Sequence, residues 1–190
     1  MQPLPDEKAL IERAKKKDKE AIGILYEAYV QSIFQYISYR VETAELAQDL
    51  TAEVFLRMIR GLAKYKYTGA PFGAWLFRVA SNQIADHYRR EAKSSDTILI
   101  EEQIEGTAPD LFNTISKEEE KEQLRLALKK LPEDYQNVLI MRFMQNLPHA
   151  TIAEIMDKSN VQIRVTQHRA LKALGVAFTQ LSGKGGNNDV

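Results

Sequence analysis

Cysteine is absent from all 190 positions. Disulfides and thiolate chemistry are therefore excluded, and the chain suits a reducing compartment. Histidine is scarce: His87, His149 and His168 lie far apart and match no metal-ligand spacing, so neither a metal nor a cofactor is expected. No apolar run approaches the ~18–20 residues needed to span a bilayer, and the opening MQPLPDEKAL is not a signal peptide. A cytoplasmic protein with no membrane insertion is expected. Serines, histidines and acids form no nucleophilic constellation, and no Gly-rich phosphate loop occurs, so the chain does not read as an enzyme.

Net charge is also missing, at zero, which by itself argues against a nucleic-acid partner. Its distribution argues the other way. Counting Lys and Arg against Asp and Glu, residues 1–93 hold 15 and 12, residues 94–122 hold 2 and 9, and residues 123–190 hold 9 and 5. Two mildly basic ends flank a strongly acidic middle, and such asymmetry is a better guide than the net value.

What the chain does have is helical periodicity. In Leu46–Arg90, the residues Leu46, Leu50, Val54 and Met58 recur every four and form one apolar stripe. A second pattern opens at Pro71, where a first helical turn tolerates proline. It turns Trp75, Leu76, Val79, Ala80 and Ile84 inward and leaves Arg78, Asn82, Asp86, Arg89 and Arg90 outward. That outward edge is either a solvated face or a hydrogen-bonding ladder against nucleic acid. The loop between the helices favours the second: Tyr65, Lys66 and Tyr67 alternate ring, cation and ring, and unpaired bases stack on such rings for ~1–3 kcal/mol each. Gly69 lets the loop backbone turn tightly.

LAQDLTAEVFLRM followed by GAPFGAWLFRVASNQIADHYRR resembles the second conserved region of bacterial RNA polymerase sigma factors, and within them the small extracytoplasmic-function class. The resemblance implies that Tyr65, Lys66 and Tyr67, with Arg78, Asn82, Asp86, Arg89 and Arg90, read and trap the melted minus-ten strand. Arg78 and Asn82 would meet base edges, and Arg89 and Arg90 phosphates. Trp75 resembles the family's FxxWL signature, where packing and base contact both remain open. The Leu46 helix carries Glu45, Asp49 and Glu53, which would repel phosphate. An acidic and apolar ridge suits a protein groove, and the resemblance places it on the clamp helices of the polymerase's largest subunit. Asp49, Glu53, Phe55, Leu56 and Arg57 are the candidate contacts, with Phe55 and Leu56 equally readable as core.

Upstream, residues 6–20 read as one charged helix capped by Asp6, and residues 21–41 as an apolar helix. Tyr26, Tyr36 and Tyr39 are expected to be core bodies with wet hydroxyls. Residues 94–116 lose periodicity and read as an acidic linker. Linkers of the family resemble a nucleic-acid mimic threading the polymerase cleft; a plain tether is the alternative.

Downstream, Ser116-x-x-Glu119 and Ser159-x-x-Gln162 are two capping boxes. The second opens a helix that a short turn at Asp157-Lys158 joins to HATIAEIM, which makes a helix-turn-helix. Ile152, Ala153, Met156, Ile163 and Leu171 form its expected seam. LPEDYQNVLIMRF, IAEIM and HRALKAL resemble the sigma fourth region, which implies that Gln162, Arg164, His168, Arg169 and Lys172 face the minus-thirty-five element. Where that turn usually carries glycine this chain has Asp157, and Thr166 stands where a basic residue is common. Arg164 and His168 are thus the foremost base readers.

The expectation is an all-α chain of two small helical domains: 1–93 resembling sigma region 2, an acidic linker at 94–116, a region 4-like helix-turn-helix domain at 117–181, and a Gly-rich tail at 182–190. Its partners would be core RNA polymerase, promoter DNA and an anti-sigma factor. A stand-alone helix-turn-helix repressor and a sigma-like adaptor that melts no DNA are the alternatives.

Overall fold

The computed structural model describes residues 4–67, 71–92 and 118–182. The acidic linker, the residues after 182, Ser116 of the first capping box and Gly69 of the loop lie outside the described residues, as do the readings placed on them. Every regular element among the described residues is helical, as the periodicity requires: α1 Glu7–Lys15, α2 Lys19–Ser38, α3 Ala44–Gly61, α4 Phe72–Ala92, α5 Glu118–Lys129, α6 Glu133–Leu139, α7 His149–Met156 and α8 Asn160–Ser182. None of them is long and apolar enough to cross a membrane.

Residues 6–20 do not form the single helix expected of them. The chain breaks after Lys15, Lys17 takes a left-handed φ of 64°, and Asp18 starts α2 by accepting from the backbone N–H groups of Glu20 and Ala21. A cap placed mid-run outweighs the helix propensity of the lysines around it. Asp6, for its part, precedes α1 without a side-chain cap bond. Thr43 caps α3 through the N–H of Leu46.

Leu50, Val54 and Met58 of the expected stripe are buried, with Leu46 partly so, and they meet Leu25, Tyr29 and Ile33 of α2 and Leu76, Ala80 and Ile84 of α4. Burying each such side chain contributes ~1.5–3 kcal/mol. Glu7 fastens α1 to this bundle. Its carboxylate, nearly excluded from solvent, accepts from the Tyr29 hydroxyl and from the Phe72 N–H at 2.9 Å, so one side chain ties three helices.

The second group of helices is built around α8. Leu124 and Leu128 of α5, Val138 and Leu139 of α6 and Ile152 of α7 are buried with its Ile163, Ala170 and Leu174. After Leu139 the chain widens into a π turn, Ile140–Met144, closed by Gln145 N–H to the Ile140 carbonyl at 3.1 Å. Asp157 fulfils the turn chemistry expected of it: φ is 54°, and the Lys158 N–H returns to the Ala153 carbonyl at 3.0 Å. Ser159 and Gln162 form the capping box reciprocally, at 2.7 and 3.2 Å.

The two groups pack on each other. Tyr36 of α2, Arg40 just beyond it and Ser81 of α4 converge on Asn137 of α6. The Asn137 side-chain oxygen accepts from both the Tyr36 hydroxyl and the Arg40 guanidinium, and its amide donates to Ser81 at 3.4 Å. Arg40 also pairs with Glu133 at 3.3 Å. Tyr36 is thus core, but its hydroxyl is sealed inside this polar knot rather than wet. Tyr26, by contrast, is open to solvent.

Candidate nucleic-acid interface

The loop after α3 begins as a 3₁₀ turn, Leu62–Lys64, and then extends at Tyr65. Its three aromatic and cationic residues take different places. Tyr65 is half-buried and packs against Phe72 and Trp75, with ring centroids at 5.2 and 5.0 Å. Burial raises its hydroxyl pKa above the usual tyrosine value. Lys66 and Tyr67 stay exposed. The ring free to stack on a base is therefore Tyr67, with Tyr65 behind it as part of the wall. Trp75 completes that wall: a Cβ on Gly61 would sit 3.1 Å from the indole, so the glycine lets the ring lie over the end of α3.

Along α4, Asn82, Arg89 and Arg90 are exposed as the periodicity requires. Asp86 lies between cations, 3.0 Å from Arg89 and 3.8 Å from Arg57 of α3, which in turn pairs with Glu53 at 3.4 Å. This chain of alternating charge joins the two helices and holds Arg89 toward the outer edge. A carboxylate so placed orients guanidinium groups and would itself repel a phosphate. Arg78 is committed elsewhere. Its Nε donates to the Ile155 carbonyl at 3.2 Å and its Nη2 to the Glu154 carbonyl, so its guanidinium crosses to α7 and caps the last turn of that helix. In this arrangement Arg78 does not stand beside Asn82 as a free base reader.

On α3, Phe55 is buried and meets the Tyr26 ring edge-on at 4.8 Å, while Leu56 is 46% exposed. The two residues left open between core and contact thus separate. Ile59, not singled out from the sequence, is equally exposed one turn beyond Leu56. The signal for it was present: Ile59 falls outside the Leu50, Val54, Met58 stripe. Asp49 and Glu53 border this apolar strip with acid.

On α8, the seam expected from the sequence is in place: Ile152, Ala153 and Ile163 are buried, and Met156 and Leu171 pack against them. Arg164, His168 and Arg169 are exposed, and Lys172 is half-buried one turn on. Gln162 is exposed, but its side-chain oxygen is spent on the capping box. Gln167 is engaged with His149 at 2.6 Å. Val161 and Val165, which belong to neither the apolar seam nor the cationic set, are also exposed on this face.

Among the described residues no cluster of His, Asp and Glu could hold a metal ion. What the chain presents is three surfaces: an aromatic and cationic edge on the loop and α4, an acidic and apolar strip on α3, and a cationic face on α8.

Comparison with known proteins identifies the family. Residues 25–94 match the Sigma-70 region 2 family, and residues 121–174 match Sigma-70, region 4. The chain is 34% identical over 170 residues to the ECF RNA polymerase sigma factor BldN of Streptomyces coelicolor, covering 87% of this chain and 63% of that longer relative. It is 32% identical over 158 residues to the RNA polymerase sigma factor YlaC of Bacillus subtilis, covering 81% of this chain and 90% of YlaC. Its fold is shared with the sigma factor RpoE of Bartonella quintana, solved in complex with the anti-sigma factor NepR, at a TM-score of 0.62 and 17% identity over 85% of this chain and 96% of that one. Members of this group are transcription initiation factors and not enzymes. The chain belongs to the sigma-70 family of bacterial RNA polymerase sigma factors, in the extracytoplasmic-function class.

Proposed function

We propose that this chain is a cytoplasmic promoter-specificity subunit that works only when seated on core RNA polymerase. The α3 strip of Leu56 and Ile59, edged by Asp49 and Glu53, docks on the polymerase, with Arg57 paired to Glu53 at 3.4 Å. Residues 1–93 then offer Tyr67, Lys66, Asn82, Arg89 and Arg90 to the melted minus-ten strand. Residues 117–181 lay α8 in the major groove of the minus-thirty-five element, and 94–116 link the two.

The observation that carries this reading is the pairing of two unlike nucleic-acid faces in one chain. An exposed ring next to Lys66, with an exposed amide on α4, suits unstacked bases. A capped helix with Arg164, His168 and Arg169 outward suits duplex DNA. Neither face is strongly basic. Held at a fixed span by the polymerase, each raises the effective concentration of the other, and two weak contacts become selective. An anti-sigma factor of the kind bound to RpoE would act by covering these same surfaces.

Run-off transcription with purified core polymerase on genomic fragments tests the proposal. Discrete start sites that depend on the added chain are expected. Failure to co-purify with core polymerase, together with no gain in start-site selectivity, overturns it.

A further inference from the structure

Six residues of α8 between positions 161 and 172 are exposed, the cationic face already described among them, and two of the six are apolar. Val161 is 71% exposed and Val165 is 45% exposed, each more open than helix packing explains. They are four apart and so lie on one line of the helix, which His168 and Lys172 continue at the next two turns. Ile163, on the far side, is fully buried and fixes the rotation of this line outward. Arg164 and Arg169 flank it. A β-branched side chain lowers helix propensity at an exposed site, so two of them here are not explained by the stability of α8.

We propose that Val161 and Val165 are specificity-determining residues that read the 5-methyl groups of thymine in the upstream promoter element. This rests on the promoter-binding reading given above and names the base chemistry it selects. In the major groove thymine alone presents a methyl group, and an apolar side chain is its natural partner. Valine, stiff at χ1, offers its methyls as a fixed cap. Both glutamines nearby are already engaged, Gln162 with Ser159 and Gln167 with His149, so the valines share the first two turns of α8 with Arg164 and Thr166. The surroundings select DNA over an apolar protein partner. From 160 to 172 there is no acidic residue, while Arg164, Arg169 and Lys172 are cationic, and such a border complements phosphate. Four helical residues rise ~6 Å, close to two base-pair steps of ~3.4 Å. The two methyls recognised therefore lie within about two steps of each other.

The test uses the full chain with core polymerase on a promoter found by run-off transcription. Each thymine of the upstream element is replaced in turn by deoxyuridine, which lacks only the methyl. Loss of about fourfold in open-complex formation is expected at one or two positions, the worth of one buried methyl. In Val161→Ala or Val165→Ala the matching uracil penalty disappears, while thermal stability is unchanged or raised. If uracil is tolerated at every position, the inference is overturned. The same follows if the alanine variants weaken thymine and uracil promoters equally, or if they alter only the capture of an acidic protein. Absence of any promoter would instead overturn the initiating function itself, so the two failures are distinguishable.

Discussion

Arg40 and Asn137 lie 97 positions apart in the chain and meet side chain to side chain, the guanidinium donating to the amide oxygen. Arg40 is 4% exposed, and the Tyr36 hydroxyl shares the same acceptor. Arg40 also donates to the Tyr36 hydroxyl at 3.2 Å, and a buried charge with two neutral acceptors and one partly exposed carboxylate, Glu133, is held by geometry more than by Coulomb attraction. The knot thus closes the region 2 helices onto the region 4 helices, with Arg78 on the α7 carbonyls as a second clasp.

Removing the shared acceptor is the sharpest check of that closure. Asn137→Ala leaves the Tyr36 hydroxyl proton without its acceptor and takes one of three side-chain acceptors from Arg40, at a cost of ~1–3 kcal/mol. At this chain length each kcal/mol lowers Tm by roughly 2–4 °C. Asn137→Asp keeps an acceptor for both donors and should lose less. Scanning calorimetry reads the order wild type, Asp, Ala, and small-angle scattering should show the Ala variant expanded. Equal stability of Ala and wild type would show that the knot contributes nothing.

Much of this architecture is legible in the sequence, and the reason is periodicity. Leu50, Val54 and Met58 repeat at helical spacing, and Ser159 with Gln162 forms a local cap that needs no tertiary context. What escaped the sequence depends on partners far along the chain. The outward position of Arg78 on α4 was readable, but not that α7 would lie within its reach. Tyr36 looked like any helical tyrosine until Asn137 arrived from α6. Phe55 and Leu56 differ only in which side of one helix ridge faces α2, a matter of a 100° rotation that composition does not fix. Val161 and Val165 fall outside the seam of Ile152, Ala153, Met156, Ile163 and Leu171, and their exposure depends on how α8 rotates against α7.

The buried tyrosines set an alkaline limit on stability. Burial pushes the pKa of both Tyr29 and Tyr36 above the ordinary value of 10.0, with Glu7 adding to the effect on Tyr29. A raised folded-state pKa means that the unfolded chain releases these protons first. Their contribution is therefore complete below pH 10 and is lost as pH rises beyond it. Each tyrosine steepens the loss by about 1.4 kcal/mol per pH unit. Urea melts between pH 9 and 11 should show the decline, and Tyr29→Phe, which cannot ionise, should flatten it. An unchanged slope in that variant would place the loss elsewhere.

The turn between α7 and α8 carries an independent consequence. Asp157 holds a left-handed backbone, which aspartate tolerates and β-branched residues resist. Asp157→Val should cost about 1–2 kcal/mol, whereas Asp157→Gly should remain near wild type. Denaturant midpoints separate the two, and binding to the upstream element should follow stability, since the turn aims α8.

On α3 the exposed strip permits a clean separation of binding from folding. Leu56→Arg and Ile59→Glu change side chains that are 46% and 48% exposed, so Tm should move by little. Surface substitutions of this sort stay within about 0.5 kcal/mol. Affinity for core polymerase should fall tenfold or more, because a charge enters the apolar centre of the proposed contact. Phe55→Ala would be uninformative by comparison, as it also removes the Tyr26 ring contact. Titration of labelled chain with core polymerase, set beside a thermal melt, distinguishes a docking surface from an incidental one.

The two loop tyrosines should behave oppositely, although the sequence presents them as equivalents around Lys66. Tyr65 shares ring contacts with Phe72 and Trp75, so Tyr65→Ala opens the wall of the loop and lowers Tm. Tyr67, exposed, can be removed without that cost. If its ring receives a flipped base, Tyr67→Ala forfeits one stack of ~1–3 kcal/mol, which is roughly 5- to 150-fold in open-complex stability. Tyr67→Phe keeps the π face and should retain most of it. Potassium permanganate footprinting of the melted strand, with heparin challenge to time its decay, reads the effect directly. Should Tyr67→Ala melt promoters as well as wild type while Tyr65→Ala fails although folded, then the receiving ring is Tyr65 and the wall is itself the pocket.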